Sequence, residues 1–410
     1  MCNIFSQLPI CYSGDRSQYD FRKQGGRNMN AVVAIDSLKG SLTSMEAGRA
    51  VCEGIRRVYP DAVVSVRPLA DGGEGTVEAL VSGMNGELRT ITVTGPLGQP
   101  LECSYGIIGS SGTAVIEMSA AAGLPLVPEQ DRNPLLTTTY GVGEMIRDAI
   151  SRGCRRFIVG IGGSATNDGG AGMLQALGYD FLDSDGKPIP QGAAGLKHLA
   201  TISSDNVLPE LSQCRFCVAC DVTNPLCGEL GASAIYGPQK GATPEMVRQM
   251  DLWLGRYAAL AAKTFPRADA SFPGTGAAGG LGFAFLTFTD AVLESGIHIV
   301  LEETHLADYI RNADLVITGE GRLDGQTAMG KAPVGVAGLA KQFGKPVLAF
   351  AGCVTEDAVA CNQKGIDAFF PILRTVTTLS EAMEPGTAMK NMAGAAEQAM
   401  RLWKACREAR

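Results

Sequence analysis

The sequence predicts an α/β protein made of two α/β domains: a discontinuous parallel-sheet domain and a second, mixed α/β domain inserted into it. Three observations predict this. Apolar runs of strand length alternate with helical-period segments at the start of the chain, and again in its last third. Between them, residues 90–118 change to short strands separated by Gly and Pro turns. Residues 157–178, FIVGIGGSATNDGGAGMLQALG, then read as a strand, a glycine-rich turn and a helix. At 410 residues the chain has room for two domains. The expected limits are 1–28 for a disordered or accessory extension, 29–90 with 290–406 for the parallel-sheet domain, and 91–289 for the insert.

Residues 31–35 form the first apolar strand, leaving through Asp36-Ser37-Leu38-Lys39-Gly40-Ser41. Ser44 is expected to cap the next helix, whose Ala47, Ala50, Val51, Ile55 and Val58 share one face, and Pro60 ends it. A second strand, 63–66, leads into Ala70-Asp71-Gly72-Gly73-Glu74-Gly75 and another helix. In the insert, strands are expected at 90–93, 102–108, 113–117 and 215–220, the last ending in Asp221-Val222-Thr223-Asn224. Helices are expected at 143–150 and 244–263, and 274–282 is a glycine-dense loop. The opening texture then returns. A strand at 315–318 leads into Gly319-Glu320-Gly321-Arg322-Leu323-Asp324, a helix follows at 334–342, strands at 347–351 and 369–373, and a closing helix at 387–406. The parallel sheet is expected to be Rossmann/flavodoxin-like.

Composition excludes several classes. Hydrophobic residues make up 45% and charged residues 19%, as in ordinary globular proteins. The formal charge of −7 and the lack of a basic run argue against nucleic-acid partners. No apolar stretch reaches the length of a membrane span, and 1–28 lacks the apolar core of a secretory signal. Twelve scattered cysteines fit reduced thiols of the cytoplasm better than a disulfide framework. A homo-oligomer stays open.

The chemistry is carried by loops at strand ends. In Gly160-Ile161-Gly162-Gly163-Ser164 small residues leave backbone amides bare, which suits a phosphate or carboxylate. Asn167 and Asp168 follow, and a carboxylate beside a phosphate calls for Mg²⁺ or a proton between them. Asp36, Asp71 with Glu74, Asp221, and Glu320 with Asp324 occupy similar loops, alongside Lys39, Lys240, Arg322 and Lys331. In open α/β sheets such loops converge on one cleft, and carboxylates with a few cations suit Mg²⁺-assisted phosphoryl transfer. Any single one of them is equally at home as a helix cap or turn residue. GxxxxGK[ST] is absent, and none of His198, His298 and His305 lies in these loops. Two rival readings are weaker. Cys214-x-x-Cys217-x-x-Cys220, with Cys227 beyond, has metal-site spacing but falls on a strand, where residues three apart point to opposite faces. A nicotinamide-dependent oxidoreductase needs GxGxxG, which the 160–165 turn lacks.

Taken together and in order, several segments resemble the bacterial-type glycerate kinase family: DSLKGS from Asp36, LADGGEGT from Leu69, GIGGSATNDGGAGM from Gly160, ACDVTNPL from Ala219, YGPQKGA from Tyr236, GAAGGLG from Gly276 and ITGEGRLDGQT from Ile317. The set spans nearly everything from Met29 onward. The chain departs from the family pattern at Ile35, Leu38 and Gly325, where Pro, an aromatic and a hydroxyl residue are usual. The resemblance implies an ATP- and Mg²⁺-dependent kinase that converts D-glycerate to 2-phosphoglycerate in a cleft between two α/β domains. The catalytic residues are expected among Asp221, Asp71 and Lys39. Ligand contacts are expected from Asp36, Ser37, Gly72, Gly73, Glu74, Gly162, Gly163, Ser164, Asn167, Asn224, Lys240, Gly319, Glu320, Arg322, Thr327 and Lys331. The metal is expected at Asp168 and Asp324. For the general base the first choice is Asp221, because the apolar strand end before it can bury the carboxyl and raise its pKa; Asp71 is second.

Overall fold

The computed structural model of the protein describes residues 28–73, 75–109 and 112–409. Nearly all of the expected N-terminal extension, and Glu74, lie outside the described residues. In chain order the strands are β1 (Asn30–Ile35), β2 (Val63–Val66), β3 (Glu87–Thr94), β4 (Pro100–Ile108), β5 (Thr113–Glu117), β6 (Arg156–Gly160), β7 (Asp180–Leu182), β8 (Thr201–Ser203), β9 (Arg215–Ala219), β10 (Ala291–Glu294), β11 (Leu315–Leu323), β12 (Val347–Val354) and β13 (Ala368–Pro371). They form a five-stranded parallel sheet, β13-β12-β11-β1-β2, and a six-stranded mixed sheet, β10-β9-β6-β5-β4-β3. In the mixed sheet β10, β9, β6 and β5 are parallel, and β4 and β3 add antiparallel at one edge. β7 and β8 make a separate small ribbon.

Helices cover both sheets because the central strands are apolar on both faces. The helices Ser44–Arg56 and Pro385–Glu408 bury Val51, Ile55, Met392 and Met400 against one face of the parallel sheet. Between the two sheets lie the helices Thr76–Gly83, Gly296–Glu303 and Ala332–Gln342, sharing one core with Val32, Val316, Val115 and Ile158. On the far face of the mixed sheet, the helices Tyr140–Ser151, Pro244–Ala261 and Ala277–Phe288 enclose an aromatic core that includes Phe157 stacked on Phe216 at 4.6 Å.

Register brings the loops together. Ile35 pairs with Gly319, so Asp36 leaves β1 beside Glu320 of β11. Gly160 and Glu294 both pair with Ala219, so the glycine-rich turn and Ser295 flank Asp221. These positions stand at or near the carboxyl ends of parallel strands, Glu320 within the last part of β11, and open α/β sheets bind ligands there.

The structure corrects several expectations. Thr43, in extended conformation, caps the helix Ser44–Arg56 in a capping box with Glu46. The hydroxyl of Ser44 instead donates to the carbonyl of Ile35 at 2.7 Å and accepts from the amide of Leu69 at 2.9 Å. It thus ties together the two loops that carry Asp36 and Asp71. The glycine-dense stretch becomes a helix, Ala277–Phe288, after a left-handed run at Ala278, Gly279 and Gly280. Its 281–288 part is buried nearly all round, so it carries no amphipathic period to read. β11 runs on to Leu323, and β10 extends the mixed sheet past residue 290.

Candidate active site

The turn after β2 is wedged into the mixed sheet. A Cβ on Gly72 would come within 2.6 Å of the Ala219 side chain and 2.7 Å of the Gly296 backbone. Only glycine allows this contact, with φ of +85° as well. The wedge sets Asp71 between the strand ends of both sheets. Asp71 Oδ1 accepts from the amide of Gly73 at 2.9 Å, which fixes the turn.

Two cavities meet at Asp71, and it lines both. The smaller, ≈ 350 Å³, is bounded by Gly162, Gly163, Ser164, Asp221, Tyr236 and Lys240, with Gly72, Gly73, Cys220 and Ala278 completing its wall. The larger, ≈ 740 Å³, is lined by Asp36, Ser37, Lys39, Glu320, Arg322, Asp324 and Lys331 on its polar side. Its apolar side is Leu38, Ile372, Leu373, Leu379 and Met383.

The glycine-rich turn lines the smaller cavity with bare backbone amides. The backbone bonds of this turn run from Leu124 N to Gly163 O and from Ala165 N to Ala122 O. They leave the amides of Gly162, Gly163 and Ser164 without a protein acceptor among the described residues. Lys240, 2% exposed, braces the turn, its ammonium donating to Ser164 Oγ at 2.8 Å and to the carbonyl of Thr166 at 2.6 Å. Burial pulls its pKa down to about 7, opposed by the charge of Asp168. Asp221 Oδ1 accepts from the amide of Gly296 at 3.2 Å, and the Ser295 side chain lies near its carboxyl. Asp221 is an exposed residue at the cavity, so the strand end before it shields the carboxyl less than its sequence suggests. Burial raises its pKa, and Asp71 adds to the rise against the opposing pull of Ser295 and the Gly296 amide.

Around the junction the carboxylates crowd one another. Burial, Asp71 and Glu320 push the pKa of Asp36 up to about 7, against the Ser37 amide bond of 2.7 Å and the charge of Lys39. Burial also raises Glu320, against a hydrogen bond from Thr327 and the charge of Lys331. A carboxyl whose pKa is raised by folding favours the folded state at low pH, and that contribution is lost as pH rises through the folded value. Without divalent cations, Asp36→Asn is therefore expected to raise Tm by a few degrees at pH 8 and to leave it unchanged near pH 4. Thermal melts at the two pH values check this, and an equal effect at both would refute it.

Other expected site residues stand behind the walls. Asp168 is fully buried; it accepts from the amide and hydroxyl of Thr139, both at 2.9 Å, and from the amides of Gly170 and Gly172 at 3.0 and 3.3 Å. Asn167 is buried and donates to Ser233 Oγ. Asn224 holds the hydroxyl of Tyr236 at 2.6 Å. Thr327 bonds Glu320, and Gly319 lies within β11 against Phe350. Asp324 does reach the larger cavity, but one oxygen accepts from Gln326 and Thr327 amides and the other faces Arg322 at 3.4 Å. At Gly325 the Asp357 carboxylate fills the space where a side chain would sit. Sequence reasoning missed Ser44, Ser295, Ala278 and the apolar wall Leu373, Leu379 and Met383. The wall segment has no periodicity, and the others depend on distant pairings.

Cys217 lies on β9, and Cys220, just beyond it, bonds the carbonyl of Val222. The ten cysteines of the described region are free thiols. Among the described residues, the group of His, Cys, Asp or Glu with ligating atoms within 4.8 Å of one another is Glu294, His298 and Glu302, apart from the cysteine run.

A layered α/β chain with a glycine-rich turn of free amides, clustered carboxylates and a second, cation-lined cavity has the make-up of a phosphotransferase. Comparison with known proteins agrees. Residues 31–404 match the model of the glycerate kinase family, and the chain belongs to that family. It is 52% identical over 358 residues to a glycerate kinase of Haemophilus influenzae, covering 87% of this chain and 95% of that one. It is 48% identical over 354 residues to the glycerate 2-kinase of Escherichia coli K12, covering 86% and 93%. A crystal structure of a Salmonella typhimurium LT2 protein assigned as glycerate kinase 2 superposes with a TM-score of 0.87 at 47% identity, covering 93% of this chain and all of that one. The chain is thus a kinase. No helix of the described residues is long and apolar enough to cross a membrane.

Proposed function

We propose that the protein phosphorylates D-glycerate with ATP to give 2-phosphoglycerate and ADP, as a cytoplasmic enzyme. The observation that carries this reading is that Asp71 lines two adjoining cavities of different character, so that two substrates would meet beside it. The parallel sheet with its helices and the mixed sheet with its own are read as two domains, the first discontinuous, with the reaction between them.

The acid takes the smaller cavity, its carboxylate on the free amides of Gly162, Gly163 and Ser164 and its 2-hydroxyl toward Asp221. The nucleotide takes the larger one, its phosphates beside Lys39, Arg322 and Lys331 and its base against Leu373, Leu379 and Met383. Mg²⁺ fits the donor set of this site, since it binds through one or two carboxylates and the substrate phosphates; Asp36, Asp71 and Glu320 are the candidates here, in place of Asp168. When bound, it would neutralise charge on the phosphates. Asp221 accepts the hydroxyl proton as the hydroxyl oxygen bonds to the γ-phosphorus and the bond to the ADP oxygen breaks. Lys39, exposed at the mouth, is positioned to balance charge on the departing phosphate.

The test is ADP release from ATP with D-glycerate and Mg²⁺, followed by phosphorus NMR of the product. A 2-phosphate product supports the reading; no glycerate-dependent ADP, or a 3-phosphate, overturns it. The assignment of cavities has its own test. Gly162 has an ordinary φ, and a Cβ added there would meet nothing within 4 Å, so Gly162→Val is tolerated by the fold. It is expected to raise the KM for glycerate by about tenfold or more while leaving that for ATP near wild type. The reverse pattern would exchange the two cavities.

A further inference from the structure

The loop that brings Ala277 and Ala278 to the smaller cavity contains three successive residues with left-handed backbone: Ala278 (φ +52°), Gly279 (φ +67°) and Gly280 (φ +93°). At two of these the lack of a side chain is forced. A Cβ on Gly279 would lie 2.1 Å from the carbonyl of Thr166, and one on Gly280 would lie 2.8 Å from the Cα of Gly169. The two loops are locked together there, with the amide of Gly169 bonded to the carbonyl of Gly279 at 2.9 Å. Ala278 differs. Residues with a Cβ seldom adopt this backbone conformation, and glycine would take it freely. Yet the chain places a methyl group here, half-buried and lining the cavity with Ser164, Asp221 and Tyr236. Backbone held in a disfavoured conformation at a ligand cavity is a pointer to function.

The geometry points to Ala278 as a specificity-determining residue: its methyl group limits the length of the hydroxy acid that the smaller cavity accepts. This rests on the reading that the acid occupies that cavity. Backbone amides and polar groups in the other walls set orientation. Apolar contact comes from Leu124, Ile161, Ala219, Val222, Ala277 and Ala278, and of these Ala278 alone has a left-handed backbone. A methyl group more or less in a pocket changes discrimination by about tenfold or somewhat more.

The experiment compares kcat/KM for D-glycerate with that for its four-carbon homologue D-erythronate, in the wild type and in Ala278→Gly. Glycine is at home at φ +52°, so the variant folds, and a thermal melt at or above the wild-type midpoint verifies it. The expected result is a shift of the ratio by about tenfold toward the longer acid, carried by a higher KM for glycerate at unchanged KM for ATP. A ratio unchanged within twofold, as an order-of-magnitude threshold, overturns the role of Ala278. Wild-type turnover of glycerate is measured first: its absence overturns the underlying function, whereas its presence with an unmoved ratio overturns the inference alone.

Discussion

Asp221→Asn is expected to leave the fold intact and lower kcat by on the order of 10²-fold or more, with the KM for ATP near wild type. Three facts make this carboxylate the strongest candidate for the base. It faces the smaller cavity across from the free amides of the glycine-rich turn. The amide of Gly296 orients it. Burial and the neighbouring Asp71 raise its pKa, which brings a carboxylate nearer to the range where it accepts a hydroxyl proton effectively. Asparagine keeps the shape and the oxygen that Gly296 bonds, but accepts no proton. Steady-state kinetics with both substrates checks the result. Near wild-type turnover in Asp221→Asn, with a collapse in Asp71→Asn, would move the base to Asp71.

Different parts of this molecule were legible in the sequence for different reasons. β1, β2 and the strand of residues 215–219 stood out because a short apolar run bounded by Gly, Pro or Asp has few other uses. The helix expected at 244–263 is found as Pro244–Ala261. The helix within Ala277–Phe288 was opaque because it is apolar all round, so no face differs from another. Site loops were visible as glycines and carboxylates at strand ends, but sequence alone does not separate residues that face a cavity from those that hold its wall. Asp36 and Asp168 look alike in the sequence. Register sends the first to the junction of the cavities, and the second turns inward to meet four donor contacts. Ser44 reads as a cap, and its actual role, joining β1 to the Asp71 turn, depends on Leu69, which lies 25 residues away.

The inward turn of Asp168 leads to the second large effect. Its carboxylate collects the Thr139 amide and hydroxyl and the amides of Gly170 and Gly172, which gathers the start of helix Tyr140–Ser151 and the glycine-rich turn onto one side chain. It also supplies the negative charge that partly restores the pKa of Lys240, the lysine that braces Ser164 and Thr166. Asp168→Asn replaces one acceptor oxygen with an NH₂ group facing donors, and leaves the buried ammonium without its counter-charge. Breaking a buried, hydrogen-bonded charge of this kind costs roughly 3 kcal/mol. The variant is therefore expected to melt well below the wild type. If it remains folded at low temperature, the Mg²⁺ concentration for half-maximal activity should stay near the wild-type value, because this carboxylate does not line either cavity. Calorimetry and a Mg²⁺ titration of the same variant separate the two roles: an unchanged melting temperature with a large rise in the Mg²⁺ requirement would make Asp168 a metal ligand after all.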